Sequence, residues 1–105
     1  MTTIELINIL KFRPGMYIGR NSIFCLKSFI DGWYFRNMEE EVEIGILNDF
    51  YLWLQKYYNI YDSRNWDELL FLVFKDEKKS LDNFFVLFDK FINLSNNNPH
   101  YQQVK

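Results

Sequence analysis

Apolar residues recur at spacings of three and four along most of the chain, which lines them on one face of a helix and would scatter them over both faces of a strand. Ile23, Leu26, Phe29, Ile30 and Trp33 form one stripe, and Ile46, Phe50, Trp53, Leu54 and Tyr57 a second. Leu81, Phe84, Phe85, Phe88, Phe91 and Ile92 form a third, broad enough for a helix at the centre of a core. Start signals accompany the stripes. Thr2 with Glu5, Asn37 with Glu40, and Asn65 with Glu68 have the spacing of a capping box, in which two side chains satisfy the orphan backbone N–H groups of a first turn. Asn21 or Ser22 before "IFCLKSFI" and Ser80 before "LDNFFVLFDKFI" supply two further caps. The pattern predicts helices over 3–11, 22–36, 38–59, 66–75 and 80–94. Within 66–75 a strand at "LFLVF" is the alternative, but no alternating segment elsewhere could pair with it. Gly32 and Gly45 fall inside two of these helices and could instead mark a helix end or a close helix contact. The expected architecture is an all-α, compact single-domain bundle of about five helices over residues 1–95, followed by a polar tail at 96–105.

Between the first two helices lies "RPGMYIG", residues 13–19. Pro14-Gly15 reads as a type II turn, Pro presetting the first central φ and Gly supplying the positive φ of the second. Met16, Tyr17 and Ile18 are then expected to run extended and plug the space between the first and second helices. Gly19 would release the chain into the second helix. Arg13 and Arg20 flank the motif, and Arg20 precedes a helix N-terminus, a place that favours anions. An intramolecular ion pair is the preferred reading for such an Arg.

Composition narrows the classes of function. At 105 residues the chain is long enough for one core, and 49% hydrophobic with 20% aromatic residues it can bury a large apolar area despite its length. The net charge of -2 is uneven. Residues 1–38 hold five bases and two acids, 39–68 two bases and eight acids, and 69–105 five bases and four acids. No Lys/Arg cluster of the kind that attracts phosphates is present, so direct nucleic-acid binding is disfavoured, and the acidic middle third suits a partner with a basic surface. The start "MTTIELINIL" lacks the features of a secretory signal, and "LLFLVF" and "FFVLF" are too short to cross a bilayer. A cytoplasmic protein without membrane contact is expected.

Candidate chemistry is sparse. Cys25, the single cysteine, reads as a small buried apolar residue, and His100, the single histidine, sits in the polar tail. Neither a zinc site nor a nucleophile–base pair can be assembled from them, and no cofactor is expected. Glu39, Glu40, Glu41 and Glu43 could face a metal only if they converged, whereas at a helix start they already have a role in the positive end of the dipole. No catalytic residue is assigned, so the chain reads as a non-enzyme.

Two resemblances rest on the motif. "RPGMYIG" resembles a sequence of the ATPase domain of DNA gyrase and related topoisomerases, where it lies near the nucleotide. The Glu/Asn-bearing helix, the Asp-Gly-rich nucleotide loop and the Gly-rich lid of that family are absent from this sequence, and ATP hydrolysis is excluded on that ground. Over residues 9–36 the order "RPGMYIG", "NSI", "L" and "FIDGW" is similar to small bacterial immunity proteins of polymorphic or contact-dependent toxin systems. The resemblance implies an antidote that binds the cognate toxin domain, for example a nuclease, by direct protein–protein interaction. A docking surface would then be bordered by Glu39, Glu40, Glu41, Glu43 and Asp49, with Asp62, Asp67 and Glu68 nearby. Trp33, Tyr34, Tyr57, Tyr58, Tyr61 and Trp66 are the candidate aromatic anchors. On this reading Arg13, Pro14, Gly15, Met16, Tyr17, Ile18 and Gly19 are scaffold. A small adaptor or regulatory interaction module unrelated to toxins is the alternative, an enzyme whose site is assembled by a dimer is a third, and the many aromatics would permit homo-oligomers.

Overall fold

The first helix starts where its capping box places it. In the computed structural model, which describes residues 1–37 and 44–96, the Thr2 hydroxyl accepts from the Glu5 backbone N–H at 3.1 Å and the Glu5 carboxylate accepts from the Thr2 N–H at 2.8 Å. The described residues form six helices and no strand: α1 Thr3–Leu10, α2 Pro14–Ile18, α3 Ile23–Arg36, α4 Ile44–Tyr58, α5 Trp66–Phe74 and α6 Glu77–Asn96. The all-α expectation holds, with one helix more than anticipated. Ser22 is the cap of α3, its hydroxyl accepting from the Phe24 N–H at 3.2 Å. Glu68 accepts from the Asn65 N–H at 3.0 Å and closes the first turn of α5. Residues 38–43 and 97–105, which include the expected start of the helix at 38–59, Glu40 of the second capping box, His100 and all but Asn96 of the expected tail, lie outside the described residues. Asn37 ends α3, its backbone N–H donating to the carbonyls of Trp33 and Tyr34.

Two local expectations are overturned. Helix α6 begins at Glu77, not at residue 80: Asp76 is its cap, accepting from the Lys79 N–H at 2.7 Å, and Ser80 lies one turn inside, fully buried, with its hydroxyl donating to the Leu70 carbonyl. The apolar stripe starts only at Leu81 because the first turn of α6 presents charged residues to solvent, so periodicity alone marks the helix one turn late. The second correction is the motif. Pro14 occupies the first position of α2, where its fixed φ suits a helix and its missing N–H would have had no partner anyway. Met16, Tyr17 and Ile18 are therefore helical, and the only glycine with positive φ is Gly19, at +89°, where the turn ends.

Helix α6 packs against α3, α4 and α5, and α3 packs against α5. Its fully or almost fully buried Leu81, Phe84, Phe88 and Phe91 meet Phe50 and Leu54 of α4, Leu69 and Leu70 of α5, and Ile23, Leu26 and Ile30 of α3. Leu6, Ile7 and Leu10 bring α1 into the same cluster. Phe50 is the hub of the aromatic contacts, with Phe84, Phe88 and Phe91 rings edge-on to it at 5.4, 5.2 and 5.6 Å. Gly32 lies inside α3 and Gly45 in the first described turn of α4, each with open space where a Cβ would sit, so neither marks a close helix contact and Gly32 marks no helix end. No helix among the described residues is long and apolar enough to cross a membrane.

Candidate functional site

Geometry separates the motif's backbone from its side chains. A Cβ on Gly15 would come within 3.3 Å of Asn21 Oδ1, and Gly19 holds a φ that L side chains rarely adopt, so both glycines serve the path of the chain. Helix α2 makes barely more than one turn, and only one side chain of the apolar trio Met16, Tyr17 and Ile18 faces the core. That residue is Ile18, which packs on the core, whereas Met16 is 70% exposed and Tyr17 47%. The expected plug is thus reduced to one residue. Met16 and Tyr17 instead line, with Ile9 of α1 and Phe12 of the turn that follows it, an open groove of about 550 Å³ whose polar members are Asn8 and Arg13. Among the described residues Phe12 is the most exposed large apolar one, at 79%.

The cations around the groove differ in their availability. Lys11 pairs with Asp89 of α6 at 3.1 Å. Arg20 donates to Glu77 Oε1 at 2.7 Å, and the same oxygen accepts from the Ser22 hydroxyl at 2.5 Å. These two hydrogen bonds hold the Glu77 carboxyl below its ordinary range, the Ser22 bond contributing most. The preferred reading of Arg20 as an intramolecular pair therefore holds. Arg13 has no ion pair among the described residues and lines the groove alone.

Most of the described acids expected to face a partner are engaged inside the chain. Asp62 pairs with Arg64 at 2.7 Å and also accepts from the Arg64 backbone N–H, which together hold its carboxyl low. Glu68 caps α5, Asp49 is half-buried, and Glu39, Glu40, Glu41 and Glu43 lie outside the described residues. Asp67 is only 8% exposed, and burial pushes its carboxyl up against the opposing pull of the Glu68 N–H and of Lys27. Its Oδ1 has no hydrogen-bond partner. Such a side chain presents no charge to a partner, so Asp67 belongs to the interior.

The aromatic candidates divide likewise. Trp66 is buried at 6% exposure with its ring 5.0 Å from that of Phe84, so it is a core residue and not available as an anchor. Trp33 and Tyr34 are half-buried, and the Tyr34 hydroxyl lies 2.8 Å from that of Thr3. Tyr58 packs half-buried against Phe74, and burial raises its phenol. Tyr57 and Tyr61 are exposed, although Lys90 lies over the Tyr57 ring and donates to its hydroxyl at 3.1 Å. Cys25, expected to be buried, is half-buried and adds to the electrostatic environment of Arg20. Among the described residues no group of three His, Cys, Asp or Glu could hold a metal ion.

Other concavities lie among the described residues. Phe24, Phe71 and Leu72 floor a groove of about 440 Å³ rimmed by Arg64, Glu68 and Lys75, and a smaller polar one of about 270 Å³ lies between α3, α4 and α5. The α1–α2 groove exceeds both and has the most exposed apolar lining. Its signal in the sequence was Phe12 immediately before Arg13-Pro14, together with a helical reading of Pro-Gly, which turns the apolar trio outward. No family model matches this chain, and neither a curated protein nor a solved structure matches it.

Proposed function

We propose that this chain is a non-enzymatic protein-binding module, and that it acts as an immunity protein that neutralises a cognate bacterial toxin domain by direct contact. The observation that carries the binding part is the contiguous exposed set Ile9, Phe12, Met16 and Tyr17, none of which belongs to the buried core cluster of the described residues. Exposed apolar residues gathered in one patch mark interaction sites more often than residues scattered singly. The toxin part draws on the similarity of residues 9–36 to immunity proteins and on the acidic run at Glu39–Glu43. A toxin with a basic cleft, such as a nuclease, would be steered toward that run, which raises the association rate more than the affinity.

Co-expression of the chain with the toxin domain encoded beside it tests this reading. Rescue of growth and co-purification of a stable complex are the expected results; neither rescue nor binding would end the immunity assignment. Charge reversal across Glu39, Glu40, Glu41 and Glu43 is expected to slow association at low salt and to matter little at high salt. An association rate indifferent to the reversal at low salt would remove the basic surface from the description of the partner.

A further inference from the structure

We infer that the α1–α2 groove receives an apolar helical segment of a partner protein that carries a carboxylate at its flank. This rests on the reading of the chain as a protein-binding module and specifies the chemistry of one of its surfaces. The lining sorts into Ile9, Phe12, Met16 and Tyr17 as an apolar floor and Arg13 as the one charged member. An open trough between two short helical elements fits the apolar face of an amphipathic helix, which anchors through residues at i, i+3, i+4 and i+7. Aromatic side chains make strong anchors and a flexible Met adapts to the shape of its ligand. Arg13 adds direction, since its planar guanidinium matches a carboxylate by two parallel hydrogen bonds.

The same charges weigh against the other occupants. A second copy of this chain would bring two arginines of the same groove together, and among the described residues no acid lines the groove to relieve them. An anionic lipid surface is held by clusters of basic residues, each adding a modest attraction. Here Lys11 and Arg20 are already committed to Asp89 and Glu77, which leaves Arg13 as the cation without an ion pair beside the groove among the described residues. One cation beside four apolar side chains suits a partner helix with a matching acid far better than a membrane.

The probe is a pair of fluorescently labelled amphipathic helical peptides with Leu at i, i+3, i+4 and i+7, one flanked by Glu and one by Lys, titrated with the full chain at low salt. The Glu-flanked peptide is expected to bind about tenfold more tightly than the Lys-flanked one. Arg13→Glu should invert that order, and Phe12→Asp with Met16→Asp should weaken the Glu-flanked peptide by about a hundredfold. Both apolar side chains are mostly exposed, so the double variant is expected to keep the wild-type thermal midpoint, which verifies that it folds. Absence of binding, equal affinity for the two peptides, or binding indifferent to the double substitution would overturn the inference. Sedimentation of the chain with phosphatidylserine vesicles, or a dimer in equilibrium centrifugation, would overturn it too if either were lost in the double variant. The toxin domain separates the two levels of the argument. Equal affinity of that domain for wild type and double variant would refute the groove as its docking site and leave the immunity reading standing. No toxin binding together with the expected peptide selectivity would refute the immunity reading and support the groove.

Discussion

The molecule handles aromatic residues in two opposite ways. Around Phe50 of α4, three phenylalanines of α6 meet its ring edge to face, and all four are buried to within 2% of complete. At the α1–α2 corner, Phe12 and Tyr17 stand in solvent beside Met16. Residue type does not distinguish the two regions; helix length does. Twenty residues in α6 give a full stripe that neighbouring helices can cover, whereas the five of α2 bring Ile18 onto the core and leave Met16 and Tyr17 outside, with Phe12 in the turn before them. A motif of hydrophobic residues is therefore evidence of packing only when its secondary structure is long enough to bury it.

The largest expected effect tests that contrast directly. Phe50→Ala should cost about 3–5 kcal/mol of stability, through lost transfer energy and the cavity left among three rings. Phe12→Ala should change stability by less than about 0.5 kcal/mol. Urea denaturation of both variants provides the comparison, and a loss at Phe12 similar to that at Phe50 would show that the corner belongs to the core.

A smaller effect is expected where the two regions are joined. The Ser22 hydroxyl caps α3 and donates to Glu77 at the start of α6, so Ser22→Ala should cost about 1–2 kcal/mol. The linkage has a defined pH signature. Glu77 is held below its ordinary pKa in the folded chain, so its contribution is fully present above that ordinary value and is lost as pH falls through the lowered one. Ser22→Ala removes the larger cause of the shift, and the stability gap between variant and wild type should narrow below about pH 4. A gap that stays constant through the acid range would mean that Glu77 is not coupled to Ser22.

The long helices were legible because each signal that makes them is local: the apolar spacing of Phe84, Phe88 and Phe91, the capping pair Thr2 and Glu5, and the cap Ser22. The features that escaped have two local solutions of similar energy. Pro14-Gly15 fits the centre of a type II turn and the first turn of a helix equally well, since φ near −65° serves both. Which of them forms is decided by the positive φ at Gly19 and by the approach of Asn21 to Gly15, neither visible in a linear pattern. Ser80 and Asp76 are both good caps, and packing of the Ser80 hydroxyl against the Leu70 carbonyl selects the earlier one. The candidate groove inherits the first ambiguity, because a helical motif exposes the side chains that an extended one was expected to bury. Burial of Trp66 and Asp67 follows from the docking of α5 on α6, a tertiary fact that a run of acids and aromatics does not encode.

Gly19→Ala asks whether the motif's backbone matters apart from its side chains. The added methyl meets open space, so the cost is that of holding an L residue at φ +89°, about 1 kcal/mol, with little change in peptide binding if the groove keeps its shape. A neutral substitution, measured by thermal denaturation, would indicate that the turn relaxes and that α2 is not held by it.

The smallest effect concerns an imperfection on the core side. Asp67 is buried with one carboxylate oxygen unpaired, and burial raises its pKa in the folded chain. A raised folded pKa contributes stability that is fully present below the ordinary value near about 3.9 and is lost as pH rises through the folded one, so at neutral pH the charged form is a liability. Asp67→Asn keeps the shape and removes that charge, while giving up a favourable acid in the first turn of α5. The balance is a gain of less than about 1 kcal/mol at pH 7 that vanishes near about pH 3.5. Denaturation midpoints of the two proteins across that range decide the matter: a variant that is less stable at pH 7 would show that the helix dipole, together with the nearby Lys27, outweighs the desolvation of Asp67.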